Sequence, residues 1–301
     1  MSQNIPDQYE KGYKPPFQTQ ERAPGAQHKL DPPPLDDITA DGQPYKPAGK
    51  LEGRKAIITG ADSGIGRSVA LLFALEGADL TVTYHPQEER DFQEMLDTIV
   101  KKAKNPRKIV ALACDLRKED VCQELVKRHL EHHGKLDAVV LNHGTQKASK
   151  YLPTLSTQQW HETFATNIHS FFYICKAAVP HLEPGSTITF NASINMAVGH
   201  PELVDYSATK GAIIGFMRAL SNQLVGEKGI RCNAVAPGPI WTPLIPATMS
   251  EESIGKFGTS VPMGRAGQPV EVATAFVYLT SADSSYISGQ ILHVNGGVVI
   301  E

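Results

Sequence analysis

Hydrophobic positions divide this chain into two unlike parts. From residue 55 onward, short apolar and β-branched runs alternate with longer stretches whose apolar positions recur at helical spacing. The runs at 55–59, 80–84, 108–113, 136–141, 186–191, 230–235 and 290–294 predict strands. The stretches at 64–76, 88–104, 118–133, 157–181, 203–226 and 269–281 predict helices. Strands alternating with helices build right-handed βαβ units, because a parallel neighbour needs a crossover. Their sum is an α/β domain over 51–301, a Rossmann-like doubly wound parallel sheet of about seven strands with helices on both faces.

Residues 1–50 do not follow this pattern. They hold nine of the 21 prolines, including Pro32-Pro33-Pro34, and little periodic apolar content. Such a segment cannot by itself bury enough surface to offset its ordering entropy. It reads as a disordered tail, or as an arm wrapping the domain or a neighbouring subunit, or as a motif for another protein. Tyr9, Tyr13, Phe17 and Tyr45 are candidate anchors for an arm.

Composition narrows the function classes. With 301 residues and 41% hydrophobic content, the chain can build one sizeable core. A net charge of -3 and the absence of a basic stripe argue against a nucleic-acid partner. Cys114, Cys122, Cys175 and Cys232 lie far apart, as expected of reduced thiols in a cytoplasmic protein. The polar, acidic start is not a signal peptide, and no apolar run reaches the ~18 residues of a membrane span. His129, His132 and His133 share a helix face but lack a carboxylate or cysteine frame. A solvated surface and no metal are expected there.

Two short patterns carry chemistry. Thr59-Gly60-Ala61-Asp62-Ser63-Gly64-Ile65-Gly66 sits between the first strand and the first helix. Glycines there let a phosphate approach the backbone, and the helix start offers it free N–H groups. The spacing differs from Gly-x-Gly-x-x-Gly, and Arg67 excludes a P-loop. In this position the loop favours dinucleotide binding over a plain glycine turn. Tyr206 and Lys210 place a phenol and an ammonium one helical turn apart. A tyrosine titrates near ~10, and a neighbouring cation lowers that value, which suits proton transfer to a substrate oxygen. Taken alone, this spacing usually marks a solvated helix face.

The order of further residues resembles the short-chain dehydrogenase/reductase family in its single-domain form. After the glycine loop come Asp115-Leu116, Asn142-His143-Gly144, Asn167, Ser193, Tyr206…Lys210 and Pro237-Gly238-Pro239-Ile240-Trp241-Thr242. The stretches 205–213, 237–246 and 265–269 are similar to the branch called glucose/ribitol dehydrogenase homologues, which also carries a proline-rich extension. The resemblance implies a catalytic tetrad of Asn167, Ser193, Tyr206 and Lys210. Tyr206 is then the acid/base, and Ser193 holds the substrate oxygen. Lys210, together with the oxidised nicotinamide, lowers the tyrosine pKa and binds the nicotinamide ribose. Asn167 holds a water that links Lys210 to solvent. It also implies cofactor contacts from Gly60, Ser63, Gly64, Ile65 and Gly66 at the phosphates, and from Tyr84 and His85 after the second strand. Asp115 and Leu116 fall at the adenine, Asn142 and Gly144 after the fourth strand, and Pro237, Gly238, Ile240 and Thr242 at the nicotinamide. Residues 243–260 are expected to form a mobile substrate lid, and the long helices to assemble a homotetramer.

Two departures stand out. His143 takes a place that the family gives to a small residue, either as a packing change or to shape the substrate side. The second strand ends without an acid to grip the 2′-hydroxyl of NAD(H), while His85 and Arg90 could meet a phosphate. The choice therefore leans to NADP(H) over NAD(H). The implied substrate is a small-molecule secondary alcohol, polyol, sugar or ketone. A larger, less polar metabolite ketone is the alternative, with Met196, Val198, Trp241 and Phe257 as candidate lining. A cofactor-binding regulatory protein or a non-redox use of the cofactor is the reading from another class.

Overall fold

The computed structural model describes residues 5–20, 22–103, 108–249 and 251–300. Residue 104, the predicted end of the second helix, and residue 250 in the expected lid lie outside the described residues. Seven parallel strands form one sheet: β1 (Lys55–Ile58), β2 (Asp79–Tyr84), β3 (Ile109–Ala113), β4 (Leu136–Leu141), β5 (Leu182–Asn191), β6 (Arg231–Pro237) and β7 (Ile291–Val294). Their order is β3-β2-β1-β4-β5-β6-β7, so the winding reverses between β1 and β4. Ligands bind at such a switch point because the crossovers leave in opposite directions and open a crevice.

The helices are α1 (Gly64–Leu75), α2 (Glu89–Lys102), α3 (Glu119–His133), α4 (Thr157–Phe164), α5 (Ser170–Ala178), α6 (Asn195–Val198), α7 (Val204–Lys228), α8 (Leu244–Thr248), α9 (Glu251–Gly255) and α10 (Pro269–Thr280). Alternate strand positions face opposite layers. In β1, Ala56 and Ile58 join a core with Phe73 of α1 and Phe276 of α10. Ile57 joins a second core with Leu125 of α3, Phe171 of α5 and Met217 of α7. The stretch predicted as one helix over 157–181 is interrupted. A π-turn, Ala165–His169, separates α4 from α5, and a 3-10 turn closes it at Val179–His181.

Residues 5–20 and 22–50 lie along this domain. The Tyr9 hydroxyl donates to the Ile38 carbonyl at 2.6 Å, and its ring sits under Arg265. Tyr45 bonds Glu76, Leu30 is buried against Trp241, Ile245 and Phe257, and the Leu35 N–H donates to Gln268 Oε1 at 3.0 Å. Phe17, expected as an anchor, is exposed. The histidine face also differs from expectation. His129 is fully buried and bridges Thr81 Oγ1 and the Lys135 carbonyl, both at 2.9 Å. It turns inward because α3 packs that side on β2, and burial pushes its pKa down to about 4. No cluster of potential metal ligands occurs among the described residues.

Candidate active site

A cleft of about 1290 Å³ runs along the C-terminal ends of the strands at the switch point. Gly60, Ser63, Gly64 and Ile65 form part of its wall. Gly60 and Gly64 have φ of +64° and +52°, values that glycine adopts without strain. Gly66 lies beneath the wall. A Cβ there would stand 1.9 Å from the Gly60 carbonyl oxygen and 2.3 Å from Asn142 Nδ2. Its absence lets α1 pack against the loop, so Gly66 supports the wall without lining it. Ser63 makes no side-chain cap for α1.

Asn142 fastens the strand ends. Its amide nitrogen donates to the carbonyls of Thr59 and Gly60 at 3.1 and 3.0 Å, and its Oδ1 accepts from Asn191 at 2.8 Å. β1, β4 and β5 are thus tied at the point where the cleft opens. Gly144, Pro237, Gly238, Ile240 and Thr242 join the same wall, as do Asn142, Tyr84, His85, Asp115 and Leu116.

Ser193 follows β5, while Tyr206 and Lys210 rise from α7, and all three line the cleft. Burial pushes the Tyr206 phenol up to about 12, and the neighbouring Ser193 hydroxyl offsets this only in part. Lys210 is buried, and that burial pulls its pKa down to about 7. Its Nζ lies 5.3 Å from the Tyr206 ring centroid and donates to the Asn191 carbonyl at 2.7 Å. The ammonium faces the ring, and desolvation is the largest influence on both groups.

Asn167 sits in the π-turn and is fully buried behind the cleft. Its Nδ2 donates to the Thr145 carbonyl at 2.9 Å and to Thr209 Oγ1 at 3.1 Å, and its Oδ1 accepts from the Thr145 N–H at 2.8 Å. The amide nitrogen is fully used, whereas Oδ1 keeps a second lone pair. A Cβ on Gly144 would lie 3.4 Å from that oxygen and 3.9 Å from Lys210 Nζ, so glycine leaves space between them.

His143 fills the cleft floor. Its Nδ1 meets Thr59 Oγ1 and its Nε2 meets Ser170 Oγ, both at 2.8 Å, with Phe171 edge-on to the ring. Burial, with the nearby Lys210 charge, pushes its pKa down to about 3. A neutral imidazole here braces β1 against α5.

The comparisons with known proteins agree with this arrangement. The family model described as "Enoyl-(Acyl carrier protein) reductase" matches residues 60–299. "Glucose and ribitol dehydrogenase" of Daucus carota is 46% identical over 287 residues, covering 95% of this chain and 97% of its own. The chain is a short-chain dehydrogenase/reductase. "NADPH-dependent aldehyde reductase 1, chloroplastic" of Arabidopsis thaliana is 43% identical over 286 residues, covering 94% of this chain and 98% of its own. A solved 3-ketoacyl-(acyl-carrier-protein) reductase of Brucella melitensis, complexed with NADH, superposes with a TM-score of 0.72 at 30% identity. That match covers 82% of this chain and 98% of the Brucella chain.

At the far end of the cleft, this dehydrogenase/reductase has groups that sequence reasoning missed. Glu88, four residues beyond β2, is buried in the wall, as is Asp62 of the glycine loop. Burial and mutual repulsion push Glu88 up to about 7, and burial pushes Asp62 up to about 6. Ala23 and Pro24, from the proline-rich segment, also line this end. Only the register of α2 and the path of residues 20–30 reveal these contacts, so no local motif could have found them. Arg90, expected at a phosphate, points outward and pairs with Glu94 at 3.0 Å. Asp115 lines the wall with its carboxylate bonded to Arg117, which holds it below the usual range.

At the other end, Val198 and Phe257 line the cleft. Met196 packs into the core beside α7, and Trp241 is buried, with Nε1 donating to the Pro32 carbonyl at 3.0 Å. These two expected lining residues are therefore structural. The expected lid region contains the short helices α8 and α9. No helix of the described residues is long and apolar enough to cross a membrane.

Proposed function

We propose that this protein interconverts a secondary alcohol and its carbonyl compound with a nicotinamide cofactor, Tyr206 acting as acid/base. The observation that carries the reading is the convergence of Ser193 and Tyr206 on the cleft wall, with Lys210 buried one turn along α7. The cleft residues fit a dinucleotide: glycines without room for side chains stand at the start of α1, and the floor is tied by Asn142. Gly60, Ser63 and Ile65 would hold the phosphates, Asp115 and Leu116 the adenine, and Ile240 and Thr242 the carboxamide. When bound, the nicotinamide supplies or accepts the hydride and, oxidised, adds a positive charge to the site.

The chain's own residues handle the oxygen and its proton. With its pKa near 12, Tyr206 holds its proton at neutral pH and is ready to donate it to a carbonyl oxygen. Ser193 would share that oxygen and fix its distance from the reacting centre. Lys210 would hold the ribose hydroxyls and, once charged, favour the phenolate in the oxidative direction. A water in the space left by Gly144, on the free lone pair of Asn167, would return the proton towards solvent.

The reading leans to NADP(H), supported by the absence of an acid at His85 and by the name of the Arabidopsis relative. A polyol, sugar or small ketone is the first substrate class. Val198 and Phe257 favour testing larger, less polar ketones as well. The family resemblance supports a homotetramer, which mass measurement in solution tests, and the scattered free cysteines support a cytoplasmic location. The decisive assay follows reduced-nicotinamide absorbance with both cofactors and a panel of polyols, sugars, aldehydes and ketones. Tyr206→Phe should abolish turnover and leave cofactor affinity within about threefold, since it removes one hydroxyl outside the phosphate contacts. Persistent turnover in that variant removes Tyr206 as acid/base. Cofactor binding without turnover on any substrate favours a regulatory or non-redox role.

A further inference from the structure

Arg22 comes to the adenosine end of the cleft from outside the βα fold. Its Nη2 donates to Glu88 Oε1 at 3.1 Å and to the Gln87 carbonyl at 3.2 Å, and its Nη1 bonds the Gln87 side chain. Gln87 and Glu88 line the cleft, as do Ala23 and Pro24 immediately after Arg22. The guanidinium is half-exposed, whereas Glu88 is only 3% exposed. One face of this cation is therefore spent on a buried acid, and the other is open to solvent at the rim.

The placement is fixed by neighbours. Gln27 is buried, and its Oε1 accepts from the Gly64 N–H at 2.9 Å. Its own N–H donates to Asp91 of α2 at 2.7 Å, and its Nε2 reaches Asp36, which also takes Arg67 at 2.9 Å. At Gly25 a Cβ would stand 2.3 Å from the Pro243 carbonyl oxygen. Residues 22–28 are thus held between the glycine loop and the start of the lid.

We propose that Arg22 selects the cofactor, by pairing with the 2′-phosphate of NADP(H) at the adenosine ribose. The inference rests on the redox reading above and deepens it. A guanidinium matches a phosphate bidentately, and Arg90 and His85 offer nothing equivalent: one points away, and the other caps the turn after β2. On phosphate binding, Arg22 gives up part of its contact with Glu88. Glu88 then faces Asp62 of the glycine loop and Asp91 of α2, whose carboxylate is bonded to the His28 ring, and takes up a proton. A neutral acid beside the phosphate removes the repulsion that would otherwise exclude NADP(H).

The test measures dissociation constants of NADP+ and NAD+ by calorimetry on the full chain, for wild type, Arg22→Ala and Arg22→Lys. Thermal melting confirms that each variant is folded. Arg22→Ala should weaken NADP+ about tenfold or more and leave NAD+ within about threefold, as expected for loss of a charge-assisted pair. Arg22→Lys should recover part of the loss. Between pH 7 and 9, wild-type affinity for NADP+ should fall with rising pH more steeply than affinity for NAD+, because protonating Glu88 becomes harder. Equal weakening of both cofactors, or no change in either, overturns the role of Arg22 and leaves the redox reading standing. Wild-type protein that binds neither cofactor removes the redox reading and this inference together.

Discussion

Single atoms decide much of this site. Gly66 is one case, because its missing Cβ is what lets the loop close on Asn142. Gly66→Ala should destabilise the protein by at least about 1–3 kcal/mol, through overpacking against a backbone carbonyl that cannot retreat. A melting curve with and without cofactor checks it, and an unchanged midpoint would show that the loop yields. His143 gives a pH prediction. Its folded pKa lies near 3, below the ordinary value, so the folded state resists protonation. Between about pH 6.5 and 3 the unfolded chain binds the extra proton, and stability falls as pH falls. By pH 5 this one group removes about 2 kcal/mol. His143→Asn should therefore lose less stability than wild type between pH 7 and 5, read as the difference in denaturant midpoints. Equal losses in the two proteins would mean that His143 is not held neutral.

Among the elements, periodicity foretold most. Every strand that the alternation predicts is present, because buried parallel strands read as short apolar runs. β5 begins earlier than its apolar run, since Leu182 pairs with Leu136 across a register shift before the regular ladder starts. The π-turn at Ala165–His169 is not legible in the pattern, because it adds a single residue to a helical run that continues on both sides. It is also where Asn167 sits, so the least legible backbone carries a residue of the proposed tetrad. Tyr206, Lys210 and Ser193 were legible because two lie on one helix and the third ends a strand. The carboxylates of Glu88 and Asp62 were not, since their importance depends on what packs over them. Trp241 shows the converse error. It lies beside the cleft-wall residues Ile240 and Thr242, yet its side chain turns into a cluster with Leu30 and Phe257.

For the whole molecule, residues 5–20 and 22–50 are bonded to the domain at many points. Leu30 is 5% exposed and packs on Trp241, Ile245, Ile254 and Phe257. Leu30→Ala should lower stability by about 2–5 kcal/mol, as truncation of a buried leucine does, although the residue precedes the first strand. Chemical denaturation measures this, and a change below about 0.5 kcal/mol would show that the segment is loosely laid on the surface. Deleting residues 1–48 should lower the melting temperature and loosen both the glycine loop and the start of the lid, since each loses partners in Gln27 and Gln20.

The bond from Leu35 to Gln268 joins residues 233 apart. During synthesis the earlier partner leaves the ribosome long before its acceptor exists. At translation speeds of about 5–20 residues per second the delay is roughly 10–50 s. Through most of that interval Trp241, on which Leu30 packs, has not yet been made. The contacts that Leu30 and Leu35 make with residues 241–268 are thus among the later ones to form. A polypeptide interrupted before residue 241 would leave Leu30 without its cover and exposed to chaperones, which marks unfinished copies apart from complete ones.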